Sequence, residues 1–440
     1  MDVATFVASL FEGRLPLRVE AYDGSVAVPT VESPANQVTL QILSRDAITR
    51  VLTHPGELGL ARAYVAGDLD VVGDLDALFA LPVPPLRQLL NPTAVRALLD
   101  VVGTSALRPL APPTIEAHPR GVLHSRSRDR RAISHHYDVS NRFYEMVLGP
   151  SMTYSCAVFR TPEDSLEDAQ RRKVDLVARK LDLKPGSRLL DVGSGWGAMA
   201  IHAARTYGAS VVGVTLSEPQ RRYATQAARE AGVGDLVEFR LQDFRDVRDG
   251  PFDAISSIGM AEHVGRRSLG RYAQTLFDLL APGGRFLNHA IGRPVSYAED
   301  PQPSALSEVW RQTQIALSLR GPSKTGSAFI ERYVFPDGEL HEVGTLVSLF
   351  QAHGFEVRHL EGLREHYALT LRRWVDNLNK RFDEAVDEVG LQRARVWRLY
   401  MAASAVAFER HHLEIHQILC VRSDEGRSSL PLRSDFEPTF

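Results

Sequence analysis

Glycine residues that follow a predicted strand form the clearest chemical signal in the sequence. Gly193, Gly195 and Gly197 come directly after the apolar run 188–192, and Asp191 stands two residues before the first of them. Residues without a Cβ allow a tight turn and a close approach of the backbone to a ligand, and the helix that follows offers free N–H groups. The G-x-G-x-G spacing differs from the dinucleotide motif, and no Gly-Lys-Ser/Thr of a phosphate loop follows. The pattern favours an S-adenosylmethionine site in a doubly wound sheet over a purely structural strand-to-helix turn.

Four further side chains are of chemically active types but carry no catalytic signal of their own: Cys156, Glu262, His289 and Tyr367. Taken singly, each also has a structural explanation. An isolated cysteine is usually a small buried hydrophobe, a histidine at a strand end is usually a satisfied polar group, and Tyr367 could belong to the core. Glu262 and His263 could cap the next helix, and we expect His263 to be mainly structural. No metal site is predicted, since the terminal histidines at 411 and 412 are interpreted as surface residues.

The elements that must position these side chains are strand and helix patterns that alternate from about residue 181. Such alternation indicates a parallel sheet with helices on its faces. Strands are predicted over 188–192, 210–214, 237–241, 252–256 and 285–290. Helices are predicted over 198–207, 219–231 and 269–280. Strand patterns return at 355–360 and 416–421 as an expected antiparallel hairpin, after a polar and helical insertion over about 294–330 that we interpret as a lid.

The remainder of the chain divides by composition. Residues 1–80 alternate short apolar runs with turn residues, which predicts a small N-terminal α+β domain, and a Pro-rich and basic linker is predicted over 81–131. The sheet-forming domain then covers 132–440. Two interpretations stay open for the end of the linker, a solvated connector or a patch that docks on anionic lipid headgroups. The linker carries a net charge of +4 there, from Asp129 and from Arg120, Arg126, Arg128, Arg130 and Arg131.

The overall composition narrows the class of protein. The chain has 440 residues with 54 acidic and 51 basic side chains, and 44% of its residues are hydrophobic. A net charge of −3 gives no basic excess that would attract nucleic acid, and the hydrophobic fraction is that of a globular protein. The two cysteines, Cys156 and Cys420, fit a reduced compartment. No basic segment opens the chain and no run of about 18 apolar residues occurs, so we expect a cytoplasmic protein that meets the inner membrane face from its surface.

Several ordered segments give the chain a resemblance to one family: 134–144, 151–156, 189–197, 213–217, 257–265, 289–292 and 366–371. Over about residues 131–421 the chain resembles the cyclopropane-fatty-acid synthases and their mycolic-acid relatives, which are S-adenosylmethionine-dependent methyltransferases of unsaturated acyl chains. The segment 58–69 is more similar to actinobacterial fatty-acid methyltransferases of the tuberculostearic acid pathway. The resemblance implies an α/β, Rossmann-like class I methyltransferase fold with a helical lid insertion.

The resemblance also implies a shell of residues around S-adenosylmethionine. Aromatic rings suit its sulfonium cation, the glycine turn suits its methionine part, and polar side chains suit ribose and adenine. The second predicted strand does not end in the ribose-binding acid that is common in such folds, and Thr215 occupies that region as in the family. The shell is Tyr137, Tyr154, Ser155, Asp191, Gly193, Gly195, Thr215, Leu216, Gln220, Gln242 and Asp243.

A bound bicarbonate ion is implied as well, held by groups that match Cys156, Glu262, His289, the backbone of Ile291, and Tyr367. An alkene offers no proton to remove before attack, so methyl transfer leaves a carbocation that needs a base afterwards. Glu262 is expected to orient His289 or to accept the bicarbonate proton. Some family members have a cysteine at the position that matches Ser404. This chain has a serine there, so we do not expect its chemistry to require a cysteine at that position.

The preferred function is methylation of oleoyl chains in membrane phospholipids, giving the 10-methylene intermediate of tuberculostearic acid. The alternative product is a cyclopropane, because proton loss from the incoming methyl group closes a ring whereas loss from the neighbouring carbon leaves a methylene branch. Expected partners are unsaturated phospholipid chains and a flavin-dependent methylene reductase, without nucleic acid, and a homo-oligomer is left open. Two rival classes are a non-catalytic lipid-binding subunit, which predicts gaps in the catalytic set, and a methyltransferase of small polar metabolites, which predicts no apolar tunnel.

Overall fold

A computed structural model describes residues 2–54, 56–75, 79, 96, 100, 103–117, 125–126, 128–129, 139–294 and 327–436. The chain forms two compact units. The first comprises Met1–His118, Ser327–Val334 and Arg381–Val406, and the second comprises Pro119–Gly326, Phe335–Lys380 and Ala407–Phe440. The predicted lid over 294–330 and the predicted linker over 81–131 fall largely outside the described residues.

The first unit is built on a four-stranded sheet with helices. Strands β1 and β3 run parallel, while β2 and β4 add to them antiparallel in the order β2-β1-β3-β4. Ser44 caps α2 by accepting a hydrogen bond from the N–H of Asp46, and α3 ends where Gly67 adopts φ +84°. This arrangement confirms the predicted N-terminal α+β fold. The elements are α1 (Val3–Ser9), β1 (Arg18–Ala21), β2 (Val26–Ala27), β3 (Thr39–Ile42), α2 (Arg45–Thr53), α3 (Glu57–Ala66) and β4 (Leu69–Val72).

Later parts of the chain complete the first unit, which the boundaries predicted from composition do not include. Arg395 donates hydrogen bonds to the carbonyl oxygens of Tyr64 and Leu69, at 2.8 and 3.1 Å. Arg62 and Tyr333 both donate to the buried carboxylate of Glu116. Buried guanidinium groups require such acceptors, and contacts between residues so far apart along the chain leave no local signal in the sequence.

The second unit contains a seven-stranded sheet in the order β10-β11-β9-β8-β5-β6-β7. Strands β9, β8, β5, β6 and β7 pair in parallel, and β11 runs antiparallel to both β9 and β10. The doubly wound, Rossmann-like fold predicted from the sequence is therefore confirmed. The strands are β5 (Arg188–Val192), β6 (Ser210–Thr215), β7 (Val237–Leu241), β8 (Phe252–Ile258), β9 (Leu280–Gly292), β10 (Glu356–Gly362) and β11 (Glu414–Val421).

Helices cover the two faces of this sheet. Leu189 and Leu190, adjacent on β5, point to opposite faces and belong to two different hydrophobic clusters. One cluster contains apolar residues of α9 and α11, and the other contains apolar residues of α5, α6 and α7. The helices of the second unit are α4 (Asn141–Leu148), α5 (Leu166–Lys180), α6 (Ala198–Tyr207), α7 (Glu218–Glu230), α8 (Ala261–Val264), α9 (Leu269–Leu279), α11 (Val343–Ala352) and α12 (Arg364–Lys380). Helices α10 (Ala328–Tyr333) and α13 (Phe382–Val389) and most of α14 (Leu391–Glu409) belong to the first unit.

Two details differ from the sequence predictions. Strand β9 begins at Leu280 rather than at 285, because Leu280 pairs with Phe252 before an irregularity in the pairing that contains the glycines at 283 and 284. The last two strands pair antiparallel as predicted, but they do not form a hairpin, since α12, α13 and α14 lie between them in the chain. In the part of the chain that the structure describes, no helix is both long and apolar enough to cross a bilayer.

Candidate active site

A cavity of about 160 Å³, partly open to solvent, lies in the second unit beside the ends of β5 and β6. Ligands of doubly wound folds bind at this edge of the sheet, outside the carboxyl ends of the strands. Ten of the eleven residues predicted to surround the cofactor line it, and the eleventh, Tyr137, lies outside the described residues. The ten are Tyr154, Ser155, Asp191, Gly193, Gly195, Thr215, Leu216, Gln220, Gln242 and Asp243.

The glycine turn after β5 is shaped by positive φ angles. Gly193 has φ +78°, and a Cβ there would stand 2.5 Å from Met260, so only glycine fits. The N–H groups of Gly193 and Ser194 both donate to the carbonyl oxygen of Val214 on β6. A Cβ at Gly195 would meet no atom within 4 Å, which leaves open space beside the backbone of the turn. The turn is thus held by the sheet at its start and offers room for a ligand at its second glycine.

Asp191 places a buried carboxylate at the cavity wall. Its Oδ1 accepts a hydrogen bond of 2.7 Å from Ser256, while its Oδ2 is buried without a hydrogen-bond partner. Burial raises the pKa of Asp191 to about 6, against the lowering effects of Ser256 and of Lys173. A buried acceptor of this kind suits a cationic ligand group such as the ammonium of an amino acid.

Polar residues that follow β6 and β7 form the next part of the wall. The Thr215 hydroxyl donates to Gln220 Oε1 at 2.8 Å and accepts from the N–H of Ser217 at 3.2 Å, so both side chains are fixed without a ligand. Gln242 is tied to β6 through its N–H, which donates to the carbonyl oxygen of Thr215. Hydroxyl and amide groups held in this way suit the hydroxyls of a ribose.

Asp243 lines the cavity but is also engaged within the protein. Both of its carboxylate oxygens accept hydrogen bonds from the guanidinium of Arg245, which also pairs with Asp129 at 3.1 Å. Although burial raises the pKa of Asp243, the contacts with Arg245 hold it below its ordinary value. The resemblance expects Asp243 to serve the cofactor, and the structure shows that its first partner is a neighbouring arginine.

Lys173 of α5 is a cavity residue that the sequence analysis missed. Its side chain is almost fully buried, and its Nζ donates to the Ser155 hydroxyl at 2.9 Å. Burial lowers the pKa of Lys173 to about 8, although Cys156 and Asp191 act to raise it. The sequence carried a usable signal, because Lys173 falls on the apolar face of α5, four residues after the buried Ala169 and four before the buried Val177.

His263 also lines the cavity, where the sequence analysis expects a mainly structural residue. It lies in α8, and its ring packs edge-on against Phe335 with the centroids 5.5 Å apart. The packing supports the structural interpretation, while the position at the wall adds contact with the cavity.

An aromatic wall connects the cavity to the region of the predicted anion site. The ring of Tyr154, at the cavity, lies 5.3 Å from that of Trp374, which in turn lies 6.0 Å from that of Tyr367 on α12. Trp196 of the glycine turn packs against Tyr144 at 4.5 Å. Electron-rich ring faces stabilise positive charge, so a cationic group in this region has an aromatic surface to contact.

Cys156 and Tyr367 of the predicted anion site meet around one carbonyl group. The Cys156 thiol can donate to the carbonyl oxygen of Ala157, at 3.2 Å, or to that of Leu363, at 3.7 Å. The N–H of Tyr367 donates to the Leu363 oxygen at 3.1 Å. The adjacent N–H of Ala157 donates to Thr370, which fixes this segment to α12. Burial raises the pKa of Cys156, so the thiol is neutral and is a hydrogen-bond donor rather than a nucleophile.

Glu262 and Ile291 are in direct contact. Glu262 Oε1 accepts a hydrogen bond of 2.7 Å from the N–H of Ile291, and Glu262 Oε2 is buried without a hydrogen-bond partner. Burial raises the pKa of Glu262 to about 7, against the lowering effect of the Ile291 N–H. The N–H that the resemblance assigns to the anion therefore already has an acceptor, and the free oxygen of Glu262 is the atom that a ligand can reach.

His289 has a partner that the sequence analysis did not expect. Its Nδ1 lies 3.1 Å from Gln417 Nε2, while its Nε2 is buried without a hydrogen-bond partner. The expectation that Glu262 orients His289 is wrong, because Glu262 binds the Ile291 backbone and Gln417 holds the imidazole. Burial keeps the pKa of His289 well below its ordinary value, and the charges of Lys173 and Lys180 lower it further.

The five predicted anion-site residues do not line the cofactor cavity in the described structure. Lys173 relates the two regions, since its charge acts on Asp191 at the cavity and also on Cys156 and His289. The sequence analysis thus found groups in two adjoining regions but not the buried lysine whose field reaches both.

Two arginines of the basic stretch are described, and both are paired within the second unit. Arg126 forms a bidentate ion pair with Asp246 at 3.0 Å, and Arg128 forms one with Asp337 at 2.7 Å. The expected +4 patch is therefore partly neutralised. Arg120, Arg130 and Arg131 lie outside the described residues.

Comparisons with known proteins identify the family of the chain. The family model of mycolic acid cyclopropane synthetase matches residues 124–418. A probable fatty acid methyltransferase of Mycobacterium tuberculosis is 45% identical over 438 residues, covering 97% of this chain and 96% of the relative. A tuberculostearic acid methyltransferase of the same organism is 33% identical over 418 residues, with 93% and 88% covered. Among solved structures, a mycolic acid cyclopropane synthase complexed with SAH and CTAB matches with a TM-score of 0.58 and 29% identity, covering 66% of this chain and 97% of that one.

Proposed function

The chain belongs to the mycolic acid cyclopropane synthetase family and is an S-adenosylmethionine-dependent methyltransferase, and from that premise we propose that it methylates the double bond of oleoyl chains in membrane phospholipids. The proposed product is the 10-methylene chain, the intermediate of tuberculostearic acid biosynthesis. A flavin-dependent methylene reductase would then act on that product.

The observation that carries the proposal is the cavity beside β5 and β6, with its unpartnered acid. Asp191 Oδ2 is a buried acceptor at the wall, and the space beside Gly195 is open. These features fit an amino acid joined to a nucleoside: the carboxylate suits an ammonium, and Thr215 with Gln220 suits a ribose. The residues present therefore fit S-adenosylmethionine.

When bound, S-adenosylmethionine supplies an electrophilic methyl group, which the π electrons of the alkene can take to leave a cation on the acyl chain. The residues of this protein have three tasks around that event. Asp191 and Lys173 supply charged groups at the cavity wall, and Tyr154 offers its ring to positive charge. Buried apolar and aromatic residues exclude water, which would otherwise add to the cation.

The anion-site residues have the task of holding a base near the acyl chain. The unpartnered Nε2 of His289 is a donor candidate, and the unpartnered Oε2 of Glu262 is an acceptor candidate. A bicarbonate ion carries both acceptor oxygens and a hydroxyl donor, so the two atoms fit it in kind. Held by these residues and by Cys156 and Tyr367, bicarbonate would supply a base for the proton that the methylated chain loses.

The comparison with relatives favours the methylene product over the cyclopropane. The tuberculostearic acid methyltransferase is 33% identical over 93% of this chain, slightly more than the 30% identity over 88% found for a cyclopropane-fatty-acyl-phospholipid synthase of Escherichia coli. The cyclopropane is the second candidate, because that synthase matches nearly as much of the chain.

The test is a reaction of the purified protein with S-adenosylmethionine and vesicles of dioleoyl phospholipid. The two products have the same mass, so the released chains are examined by mass spectrometry for the added carbon and by proton NMR for its bonding. Vinylidene protons support the methylene product, and upfield ring protons overturn it in favour of the cyclopropane. Chains without an added carbon would overturn both. Depleting bicarbonate and restoring it separates the anion from the methyl-transfer step, since turnover should fall and recover while cofactor affinity stays unchanged.

A further inference from the structure

A polar chain runs from the partly exposed Glu361 through the buried Lys180 and Gln417 to His289. Lys180 Nζ donates to the carboxylate of Glu361 and, at 2.7 Å, to Gln417 Oε1. Gln417 Nε2 lies 3.1 Å from His289 Nδ1. Gln417 and His289 are direct partners in the antiparallel pairing of β11 with β9, so the sheet itself fixes their separation. Lys180, Gln417 and His289 are each at most 1% exposed.

The lysine decides which way the Gln417 amide points. An ammonium group has three donors and no acceptor, so the atom of Gln417 that faces Lys180 is the amide oxygen. The amide nitrogen then faces His289 and donates to it. A carboxylate on the far side of the lysine, that of Glu361, keeps the ammonium in place.

The orientation of the amide decides the state of the imidazole. A neutral histidine carries one N–H and one acceptor nitrogen, and Nδ1 accepts here, so the proton resides on Nε2. The charged groups around the ring favour the same state, because Lys173, Lys180 and His416 all lower the pKa of His289 together with its burial. Nε2 is consequently a buried N–H donor without a hydrogen-bond partner in the described structure. Such a donor is costly to leave unsatisfied, which points to an acceptor that binds there.

We propose that Gln417 is a positioning residue that holds His289 as an Nε2 donor, so that His289 binds the active-site anion and does not itself take the proton. The proposal deepens the function proposed above and rests on it for the identity of the anion. Lys180 and Glu361 then have a role as well. They fix the Gln417 amide in the orientation that makes His289 a hydrogen-bond donor rather than a base.

The direct test is the tautomer of His289 in the cofactor-free protein. Long-range proton–nitrogen NMR spectra of the protein with 15N-labelled histidine distinguish the two tautomers, and the His289→Gln variant identifies the signal. We expect an Nε2–H imidazole whose shifts do not change between about pH 6 and about pH 8, where an ordinary histidine titrates. An Nδ1–H tautomer, or a normal titration, would overturn the proposal. This experiment needs only the wild-type fold and the assignment variant.

The second test changes the relay with an isosteric substitution. In Gln417→Glu a carboxylate faces His289 Nδ1 and accepts a hydrogen bond from an N–H there, so the ring is expected to become an imidazolium or the opposite tautomer and its pKa to rise. Turnover should fall by about tenfold or more while the dissociation constant of S-adenosylmethionine stays within about twofold. Gln351→Glu, on the exposed surface of α11, is the matched control for the added charge. Thermal unfolding checks that each variant folds, and Gln417→Met, which removes the donor without adding charge, replaces Gln417→Glu if the latter does not fold.

The outcomes separate this proposal from the function on which it rests. A folded Gln417→Glu variant with wild-type turnover would overturn the positioning role even if phospholipid is methylated. A donor tautomer together with turnover that ignores bicarbonate would uphold the role of Gln417 and overturn bicarbonate as the bound anion.

Discussion

The cofactor cavity and the proposed anion site differ in how far their polar atoms are already paired. The cavity is partly open to solvent, and the ten described residues predicted for it lie at its wall. In the proposed anion site, Glu262 pairs with the Ile291 N–H and His289 pairs with Gln417, while Glu262 Oε2 and His289 Nε2 are buried without a hydrogen-bond partner in the described structure. A cavity can select a large ligand by its shape, whereas selection of a small anion depends on donors and acceptors that are fixed in place. The proposed anion site therefore depends more on the exact state of each side chain than the cavity does.

This contrast has an energetic side. A buried polar atom without a partner costs about 1 to 3 kcal/mol, and both regions contain such atoms. At the cavity the atom is Asp191 Oδ2, beside space that a ligand can fill. At the proposed anion site the two unpartnered atoms are of opposite type, since Glu262 Oε2 can accept a hydrogen bond and His289 Nε2 can donate one. An ion that carries both a hydroxyl group and acceptor oxygens can satisfy both.

The largest effect is expected from a substitution at Glu262, the acid of the proposed anion site, which should change turnover and leave cofactor binding unchanged. Glu262→Gln keeps an oxygen that accepts from the Ile291 N–H but removes the carboxylate charge. We expect turnover to fall at least about 100-fold while the affinity for S-adenosylmethionine stays unchanged. Product analysis and calorimetric titration measure the two quantities. Glu365→Gln, an exposed residue of α12, is the control, and wild-type turnover in Glu262→Gln would remove Glu262 from the mechanism.

The next effect belongs to the cavity alone. Asp191→Asn keeps an oxygen for Ser256 but cannot bind an ammonium as a charged partner, so the affinity for S-adenosylmethionine should fall about 10- to 100-fold. Because protonation has the same effect, wild-type affinity should fall as the pH drops through about 6. Titration calorimetry across that range checks both statements. Unchanged affinity in Asp191→Asn, with the exposed Asp235→Asn as control, would contradict the assignment.

The same substitution should stabilise the cofactor-free protein. Burial raises the pKa of Asp191 from an ordinary 3.8 to about 6, so folding disfavours its charged form. The unfolding free energy contributed by this group therefore decreases as the pH rises from about 4 to about 6, and the full penalty persists above that range. Asp191→Asn should remove a penalty on the order of 2 kcal/mol at about pH 8 and little at about pH 4. Denaturant unfolding at both values tests the sign, and a variant that is less stable at the higher pH would contradict it.

A smaller effect is expected where the two regions share a residue. Lys173→Met removes the donor to Ser155 and the positive charge that lowers the pKa of Asp191. The affinity for S-adenosylmethionine should fall about tenfold, and the pH at which it is half lost should move upward. The pH dependence of binding measures the shift. Lys184→Met, an exposed lysine, is the control, and a variant with an unchanged pH midpoint would show that Lys173 does not act on Asp191.

The smallest effect is expected outside both regions. Ser404 lies in α14 within the first unit, half-buried, at the register where some family members have a cysteine. Ser404→Ala should leave turnover within about twofold of wild type, because no cysteine chemistry is available at this position. If turnover falls more than tenfold while the melting temperature stays unchanged, Ser404 takes part in the reaction although it lies in neither region.

Much of the fold could be predicted because local patterns specify it. Strand β5 was predicted with its observed bounds. The turn after it was predicted from its glycines, and in the structure Gly193 has a positive φ and lies close to Met260. The predicted hairpin was wrong in its connection, since pairing between β10 and β11 is decided by packing across three intervening helices. The two units do not follow the boundaries expected from composition and from the Pro-rich stretch. Residues far apart along the chain, such as Arg395 and Tyr64, form hydrogen bonds that only folding brings within reach.

The sequence by itself determined the doubly wound sheet, the glycine turn and the residue types of both regions, since these depend on periodicity, on missing Cβ atoms and on ordered motifs. Only the tertiary structure decided which atom of each side chain is free. Gln417 holds His289 because pairing between β9 and β11 brings them together from positions 128 residues apart. Glu262 binds the N–H of Ile291, which lies 29 residues further along the chain. Hydrogen-bond partners and protonation states depend on distances of a few ångströms between such remote residues, and no local pattern in a sequence encodes them.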